Sequence, residues 1–323
     1  MKGRPAFSLG GEHVAAGKAK LCELPVARIP TDPLTWLRLR AKVLHGRRPG
    51  RVVWISAAVH GDELGGVEII RRVLRELDPR LLAGTLIAVP FVNVFGAMGG
   101  SRYLPDRRDL NRSFPGSPKG SLAARLANIF LTDIVERCDF GIDLHTGSDG
   151  RTNLPQIRAD LDDPETRRCA EAFAAPVMMN GKPPAGSLRA TTNRQGIHSL
   201  LYEAGEALRF DEDAIEMGVA GVLRTLSALE MTPEAAPPAA ERPSLEVAAA
   251  TWLRARRSGL FRARTTLGAR VAKGDLVGKI NDPFGVASNP VRAREDGVVI
   301  GLNLNPLVGQ GDALVHLGLL TGA

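Results

Sequence analysis

The sequence predicts an α/β fold with a mostly parallel sheet and helices on both faces, followed by a small C-terminal all-β barrel-like domain. Three observations carry this expectation. Val52–Ile55 with Val59 is a short apolar run with almost no alternation, which is how a strand covered on both faces reads, and Thr85–Val92 and Phe140–His145 read as a second and a third strand. Stripes with helical spacing separate them. Beyond residue 244 those stripes vanish and glycine turns recur at short intervals, as in small barrels and sandwiches.

In chain order, residues 11 to 50 alternate polar and apolar segments broken by Gly and Pro, and read as leading strands. The strand Val52–Val59 runs into His60-Gly61-Asp62-Glu63. Leu64, Val67, Ile70, Val73, Leu74 and Leu77 then form one helical stripe, ended by Asp78-Pro79. A second buried strand at Thr85–Val92 is followed by a polar loop over Gly99–Gly120. Leu122, Leu126, Ile129, Phe130, Ile134 and Val135 mark the next helix, which leads into a strand ending in Asp143-Leu144-His145. Residues 148 to 195 read as loop-rich, with one strand at Pro176–Met179. Gly196–Glu203 is a further strand, and Ile215, Val219, Val222, Leu223 and Leu226 face one side of a helix. Strands alternating with helices imply the parallel sheet. Pro, Ala and Glu crowd together at 232 to 244, which divides the chain into residues 1 to 231, a linker over 232 to 244, and residues 245 to 323.

Composition narrows the function classes. At 323 residues and 44% hydrophobic content the chain can bury a sizeable core. It has no apolar run of about 18 residues and no apolar segment of the secretory kind near Met1, so a cytoplasmic protein with no membrane partner is expected. The three cysteines, Cys22, Cys138 and Cys169, are too scattered for a disulfide framework or a metal knuckle. A net charge of +7 raises nucleic acid as a partner, but the basic residues are spread along the chain and only two tyrosines could stack on bases. A small acidic substrate is the better use for some of the arginines.

The chemistry-bearing residues sit at strand ends, where open α/β sheets bind ligands. A turn after the first strand would bring His60 and Glu63 onto one face. Asp143 and His145 lie two apart on a strand and point to the same side. Two histidines and one carboxylate, leaving a position for water, are a composition found in catalytic zinc sites. Asp143 can orient His145 or cap a loop amide. Asp62 is expected to cap the helix that follows it, and Asp109 to shape its loop.

HGDE at 60 to 63, Arg102-Tyr103, DLNR at 109 to 112, DLHTG at 143 to 147 and the E-x-G at Glu203 occur in an order and approximate spacing that resembles the succinylglutamate desuccinylase/aspartoacylase family, a branch of the zinc carboxypeptidase-like hydrolases. The match covers roughly residues 50 to 230. The resemblance implies a zinc carboxypeptidase-like fold and one Zn2+ per subunit, held by His60, Glu63 and His145. It implies Glu203 as general base, Arg102 as the group polarising the scissile carbonyl, and Asn111 with Arg112 as the grip on a substrate carboxylate. A planar guanidinium can hold a carboxylate by two parallel hydrogen bonds, which a lysine cannot reproduce. Arg158, soon after DLHTG, is a further candidate substrate contact. His198 reads as a core or rim histidine, and Glu206 is a weaker competitor for the base.

The function so implied is hydrolysis of the amide of an N-acyl amino acid or similar small N-acyl amine. The alternative is a metallocarboxypeptidase releasing a C-terminal residue. A non-catalytic binding module would need a missing ligand or base, and none is missing. Some family members draw an active-site tyrosine from the C-terminal domain, whereas Tyr103 and Tyr202 both precede it here, so substrate choice cannot be copied. Residues 268 to 301 resemble a lipoyl-like barrel, but the turn Asn281–Gly285 carries no lysine for a prosthetic group, leaving a lid or a contact in a homo-oligomer as the expected task.

Overall fold

The computed structural model describes residues 4–29, 31–232, 237–238 and 243–320. β1 (Phe7–Leu9) and β2 (Glu12–Val14) form a small hairpin. β3 (Lys18–Ile29) and β4 (Asp32–His45) are the expected leading strands, paired antiparallel. There follow β5 (Arg48–Ala57), α1 (Gly65–Glu76), β6 (Ala83–Val89), α2 (Val94–Met98), a 3-10 turn at Leu110–Arg112, α3 (Leu122–Asp133) and β7 (Phe140–Gly147). β8 (Arg151–Ala159), α4 (Pro164–Phe173), β9 (Val177–Asn180), α5 (Leu188–Gln195), β10 (His198–Glu206) and α6 (Glu212–Ala228) complete the first unit. The second is built from β11 (Leu245–Arg254), β12 (Gly259–Ala263), β13 (Arg270–Val271), β14 (Leu276–Asn281), β15 (Ser288–Arg292), β16 (Gly297–Asn303), β17 (Leu307–Val308) and β18 (Ala313–Leu320).

One sheet of twelve strands runs through both units in the order β13-β16-β18-β11-β9-β8-β10-β7-β5-β6-β4-β3. It is mixed, which corrects the expectation of a mostly parallel sheet. β6, β5, β7 and β10 run parallel at its centre, but β3–β4, β4–β6, β10–β8 and the C-terminal pairs β11–β18 and β16–β18 are antiparallel. The physical reason is connection length. A parallel crossover needs about a dozen residues or more, and the links from β3 to β4 and from β7 to β8 are far shorter. The segment read as loop-rich holds β8, α4 and α5. β8 escaped notice because its sequence, RTNLPQIRA, carries Pro and polar residues and follows no simple period.

Helices do cover both faces. Ile69 and Ile70 of α1, Cys169 and Phe173 of α4, and Ile215 and Leu226 of α6 pack one core. Ala123, Leu126 and Phe130 of α3 with Leu188 of α5 pack the other. The C-terminal unit has its own core around Val277, Val299 and Leu314, but it is not a bead on a string. β11 pairs with β9 and β16 with β8, so it extends the central sheet. A separate four-stranded sheet, β15-β14-β12-β17, closes it. The linker expected over 232 to 244 lies mostly outside the described residues. Among the described residues no helix is long and apolar enough to cross a membrane.

A close approach at the centre sets the position of β7. Trp54 of β5 is fully buried and lies beside Gly141 of β7, where an added Cβ would come within 1.9 Å of its indole ring. Only glycine leaves room for that ring. Gly141→Ala is therefore expected to destabilise the protein by about 1–3 kcal/mol or more through overpacking, measured as a lower denaturant midpoint with an unchanged m-value. An unaltered midpoint would show that the two strands have slack.

Candidate metal and substrate site

The parallel order β10-β7-β5 places three strand ends side by side, and the chemistry-bearing residues follow from that. β5 ends at Ala57, and Ala58 takes a left-handed φ of 49°, a conformation that turns the chain sharply off the sheet. His60 comes next. The expected turn is present just before α1 rather than within it: Glu63 N–H donates to His60 C=O at 3.1 Å, which sets the two side chains on one side. Gly61 is needed there, because a Cβ would lie 2.0 Å from the backbone carbon of Gly96. β7 brings Asp143 and His145, and β10 brings Glu203 into register beside His145.

His60, Glu63 and His145 offer ligand atoms within 4.8 Å of one another, all of them buried. His60 Nδ1 lies 2.7 Å from Glu63 Oε1, and His145 Nδ1 lies 2.7 Å from Oε2. Each imidazole turns its other nitrogen to an outer carboxylate. His145 Nε2 is 2.8 Å from Asp143 Oδ2, and His60 Nε2 is 3.2 Å from Asp109 Oδ1. Asp143 is itself held by the Ser56 hydroxyl at 2.8 Å. Burial alone would push the Glu63 carboxyl up, but the two imidazoles overcome it and hold the group ionised. The donor set fits a divalent ion: two imidazole nitrogens and a carboxylate converge, and the far side of each ring is fixed by a carboxylate, as metal-bound histidines usually are.

His60, Glu63 and His145 line a cavity of about 130 Å³ together with Arg102, Asn111, Arg112, Ser148, Arg158, Arg189 and Glu203. Every residue expected at the site is therefore brought to it. Glu203 accepts from Asn153 Nδ2 at 2.9 Å and pairs with Arg158 at 2.9 Å. Arg158, expected as a substrate contact, is thus engaged with that carboxylate. Arg102 pairs with Asp109 at 2.9 Å, reaches Glu63 at 3.4 Å and donates to the Ser148 hydroxyl at 2.8 Å. Asn111 accepts the Leu188 N–H at 2.9 Å with its Oδ1, tying the 3-10 turn to the start of α5. Arg112 donates to the Asn111 carbonyl at 2.7 Å and pairs with no carboxylate among the described residues.

Several side chains fall differently from expectation. Asp62 does not cap α1: the helix has no side-chain cap, and Asp62 Oδ1 is buried without a partner among the described residues. Asp109 does shape its loop, accepting from Asn111 N–H at 2.8 Å, but it also joins His60 to Arg102. His198 sits at the other end of β10 against Asp163 and Glu165, a rim histidine as expected. Glu206 pairs with Arg209 and does not line the cavity. Ser148, Asn153 and Arg189 were not singled out from the sequence. Ser148 directly follows DLHTG, a signal that could have found it. Asn153 and Arg189 lie on β8 and α5, whose elements were themselves unread.

Asp143→Ala is expected to weaken divalent-ion affinity about 10- to 100-fold by freeing the His145 ring, measured by competition with a chromophoric chelator on protein whose circular dichroism is unchanged. Affinity equal to the parent's would take Asp143 out of that role.

Comparison with known proteins agrees with this geometry. The profile of the succinylglutamate desuccinylase/aspartoacylase catalytic domain matches residues 49–229. The chain is 28% identical over 303 residues to N-alpha-acetyl-L-2,4-diaminobutyric acid deacetylase from Halomonas elongata, covering 88% of this chain and 87% of that one. It is 26% identical over 228 residues to succinylglutamate desuccinylase from Pseudomonas aeruginosa, covering 60% and 66%. The crystal structure of a succinylglutamate desuccinylase/aspartoacylase from Rhodobacter sphaeroides superposes with a TM-score of 0.83 at 28% identity, over 93% of this chain and 94% of that one. The ectoine utilization protein EutE (DoeB) from Ruegeria pomeroyi shares the fold at a TM-score of 0.84 and 24% identity, over 98% of each chain. With more than half of its length matched by the family profile and the motif residues gathered in one cavity, the chain belongs to the succinylglutamate desuccinylase/aspartoacylase family.

Proposed function

We propose that this protein is a zinc-dependent hydrolase that cleaves the amide of an N-acyl amino acid or a similar small N-acyl amine, C–N bonds other than peptide bonds. The observation that carries the reading is the meeting of a His-Glu-His cluster, the Glu203 carboxylate and four arginines in one small cavity. Both curated relatives named above are deacylases of N-acyl amino acids by name, and they share 28% and 26% of their aligned residues with this chain.

His60, Glu63 and His145 would hold the zinc ion, with Asp109 and Asp143 fixing the imidazoles. Bound there, the ion supplies Lewis-acid polarisation and a water acidified to about neutral pH. Glu203 takes the proton of the attacking water and delivers it to the leaving amine, and general acid–base transfer of this kind contributes about 10²–10⁴-fold. Asn153 and Arg158 hold the Glu203 carboxylate in one direction. Arg102 aims N–H donors at the edge of the ligand cluster, where they meet negative charge developing on the carbonyl oxygen. Asn111 and Arg112 grip a substrate carboxylate through the amide and guanidinium N–H groups that the fold leaves without a carboxylate partner. Arg158 also lines the cavity, and its guanidinium serves there to position Glu203.

Cavity size speaks against the metallocarboxypeptidase alternative. About 130 Å³ is below the roughly 300 Å³ at which drug-sized pockets begin, which suits a small metabolite better than a peptide end. A cytoplasmic setting, a small acidic N-acyl substrate and action without nucleic-acid or membrane partners complete the proposal, with a homo-oligomer left to a measurement of mass in solution.

Zinc-loaded protein is expected to hydrolyse N-acyl amino acids, to lose that activity on chelation and to regain it with Zn2+. Glu203→Gln is expected to lower kcat by about 10²–10⁴-fold while the zinc content of the protein stays at one per chain. Substantial turnover in that variant would remove Glu203 from the proton transfer.

A further inference from the structure

A second cavity, a groove of about 750 Å³, lies in the C-terminal unit and shares no lining residue with the site described above. Six cations line it: Arg254 at the end of β11, Arg256 and Arg257 just after it, Lys273 between β13 and β14, Arg292 at the end of β15, and Arg294 beyond. Backbone bonds bring two of these stretches together. Gly274 N–H donates to the Ala293 carbonyl and Ala293 N–H to the Asp275 carbonyl, each at 2.9 Å, which clips the turn carrying Lys273 to the strand end carrying Arg292 and Arg294. Buried Leu253, Ile280 and Val291 supply apolar lining between the charges.

None of the six forms an ion pair among the described residues. Arg254 donates to the Gly311 carbonyl at 3.0 Å and Arg292 to the Gly274 carbonyl at 2.8 Å, contacts that leave both charges unanswered. The neighbouring acids are engaged elsewhere. Asp275 accepts from Ala272 N–H at 2.8 Å and Asp296 from Lys273 N–H at 2.7 Å, so both shape the turn instead of meeting a guanidinium. Glu295 is exposed and pairs with none of the six among the described residues.

Like charges gathered over apolar walls focus the field and draw in counter-ions. The counter-ion that fits this groove is compact and densely charged. Its volume of about 750 Å³ falls within the roughly 300–1,000 Å³ of small-molecule sites. Its lining holds no aromatic residue, so the bases of a single nucleic-acid strand would find nothing to stack on. A guanidinium fork matches two oxygens of one phosphate, and five forks with one ammonium in a single groove match a chain of linked phosphates better than a lone carboxylate.

We propose that this groove is a second ligand site and that it binds an oligophosphate, supplied either as inorganic triphosphate or as the triphosphate tail of a nucleotide. No step of the hydrolysis enters the argument, because no groove residue lines the catalytic cavity.

The experiment is a calorimetric titration of the full-length protein with triphosphate, ATP, orthophosphate and citrate in separate runs, with zinc content measured before and after because linked phosphates also chelate metal. Triphosphate should bind at least about tenfold more tightly than orthophosphate or citrate, and its affinity should fall as salt is raised from about 0.05 to 0.5 M. Arg256→Gln/Arg294→Gln, a change at two exposed side chains, should weaken triphosphate about 10- to 100-fold. Arg262→Gln/Arg264→Gln removes the same charge from exposed positions of the same unit outside the groove, and should leave the affinity within about twofold. ATP bound as tightly as triphosphate upholds the site with the phosphate chain alone recognised, and ATP bound more tightly upholds it with a nucleotide as the source. Citrate bound as tightly as triphosphate, equal losses in the two double variants, or triphosphate binding that survives Arg256→Gln/Arg294→Gln overturns the proposal. So does tighter binding of a single-stranded oligonucleotide than of triphosphate.

Discussion

The Glu63 carboxylate, 2% exposed, gives one oxygen to His60 and the other to His145, and the remaining polar groups of the site are arranged around that shared contact. A buried carboxylate is tolerable only when its charge is answered. The answer here is built in layers. Two imidazoles flank the carboxylate, Asp109 and Asp143 hold the imidazoles from behind, and Arg102 and Ser56 hold those in turn. The cluster therefore depends on β5, β7 and the 99–120 loop meeting in one register, and the fully buried Trp54 beside Gly141 keeps the two strands in it. An ion added at the centre would enter a constellation already directed at it.

The second unit of the chain matters to the same site through β8. Glu203 takes its partners Asn153 and Arg158 from that strand, and β8 is flanked at Arg151–Asn153 by β16 of the C-terminal unit. Asn153 stands opposite Gly301, where an added Cβ would come within 2.8 Å of the Asn153 carboxamide oxygen. Gln156 of β8 donates to the Ile300 carbonyl at 3.2 Å. The carboxylate assigned to proton transfer thus has its direction set by a strand that the C-terminal unit braces. A barrel appended for another purpose would not need so close an approach.

Charge is distributed unevenly, and the cavity shows what a net value conceals. The formal charge of +7 reads as a general basic character. In space, two cavity arginines are neutralised by carboxylates and two are not. Elsewhere Arg254, Arg256, Arg257, Lys273, Arg292 and Arg294, from three separate stretches of sequence, come together along one groove of the C-terminal unit. Cations that looked scattered are in part clustered, because antiparallel strands bring distant turns side by side.

The sequence by itself determined the central strands, the helices α1, α3 and α6, the β character of residues 245 to 323, and the grouping of His60, Glu63 and His145 at strand ends. These were legible because each depends on local pattern: a buried strand on an apolar run, a helix on its stripe, and His60 with Glu63 on a single turn. Only the tertiary structure decided that the sheet is mixed, that the C-terminal unit extends it, and which carboxylate answers which arginine. Arg158 illustrates the limit, since its place soon after DLHTG suggests a substrate contact, and only the fold shows that its guanidinium meets Glu203. Arg189 illustrates the other side. Nothing in LRATTNRQ marks one arginine as buried and unpaired, because being without a partner is a property of the whole surrounding cavity rather than of any stretch of chain.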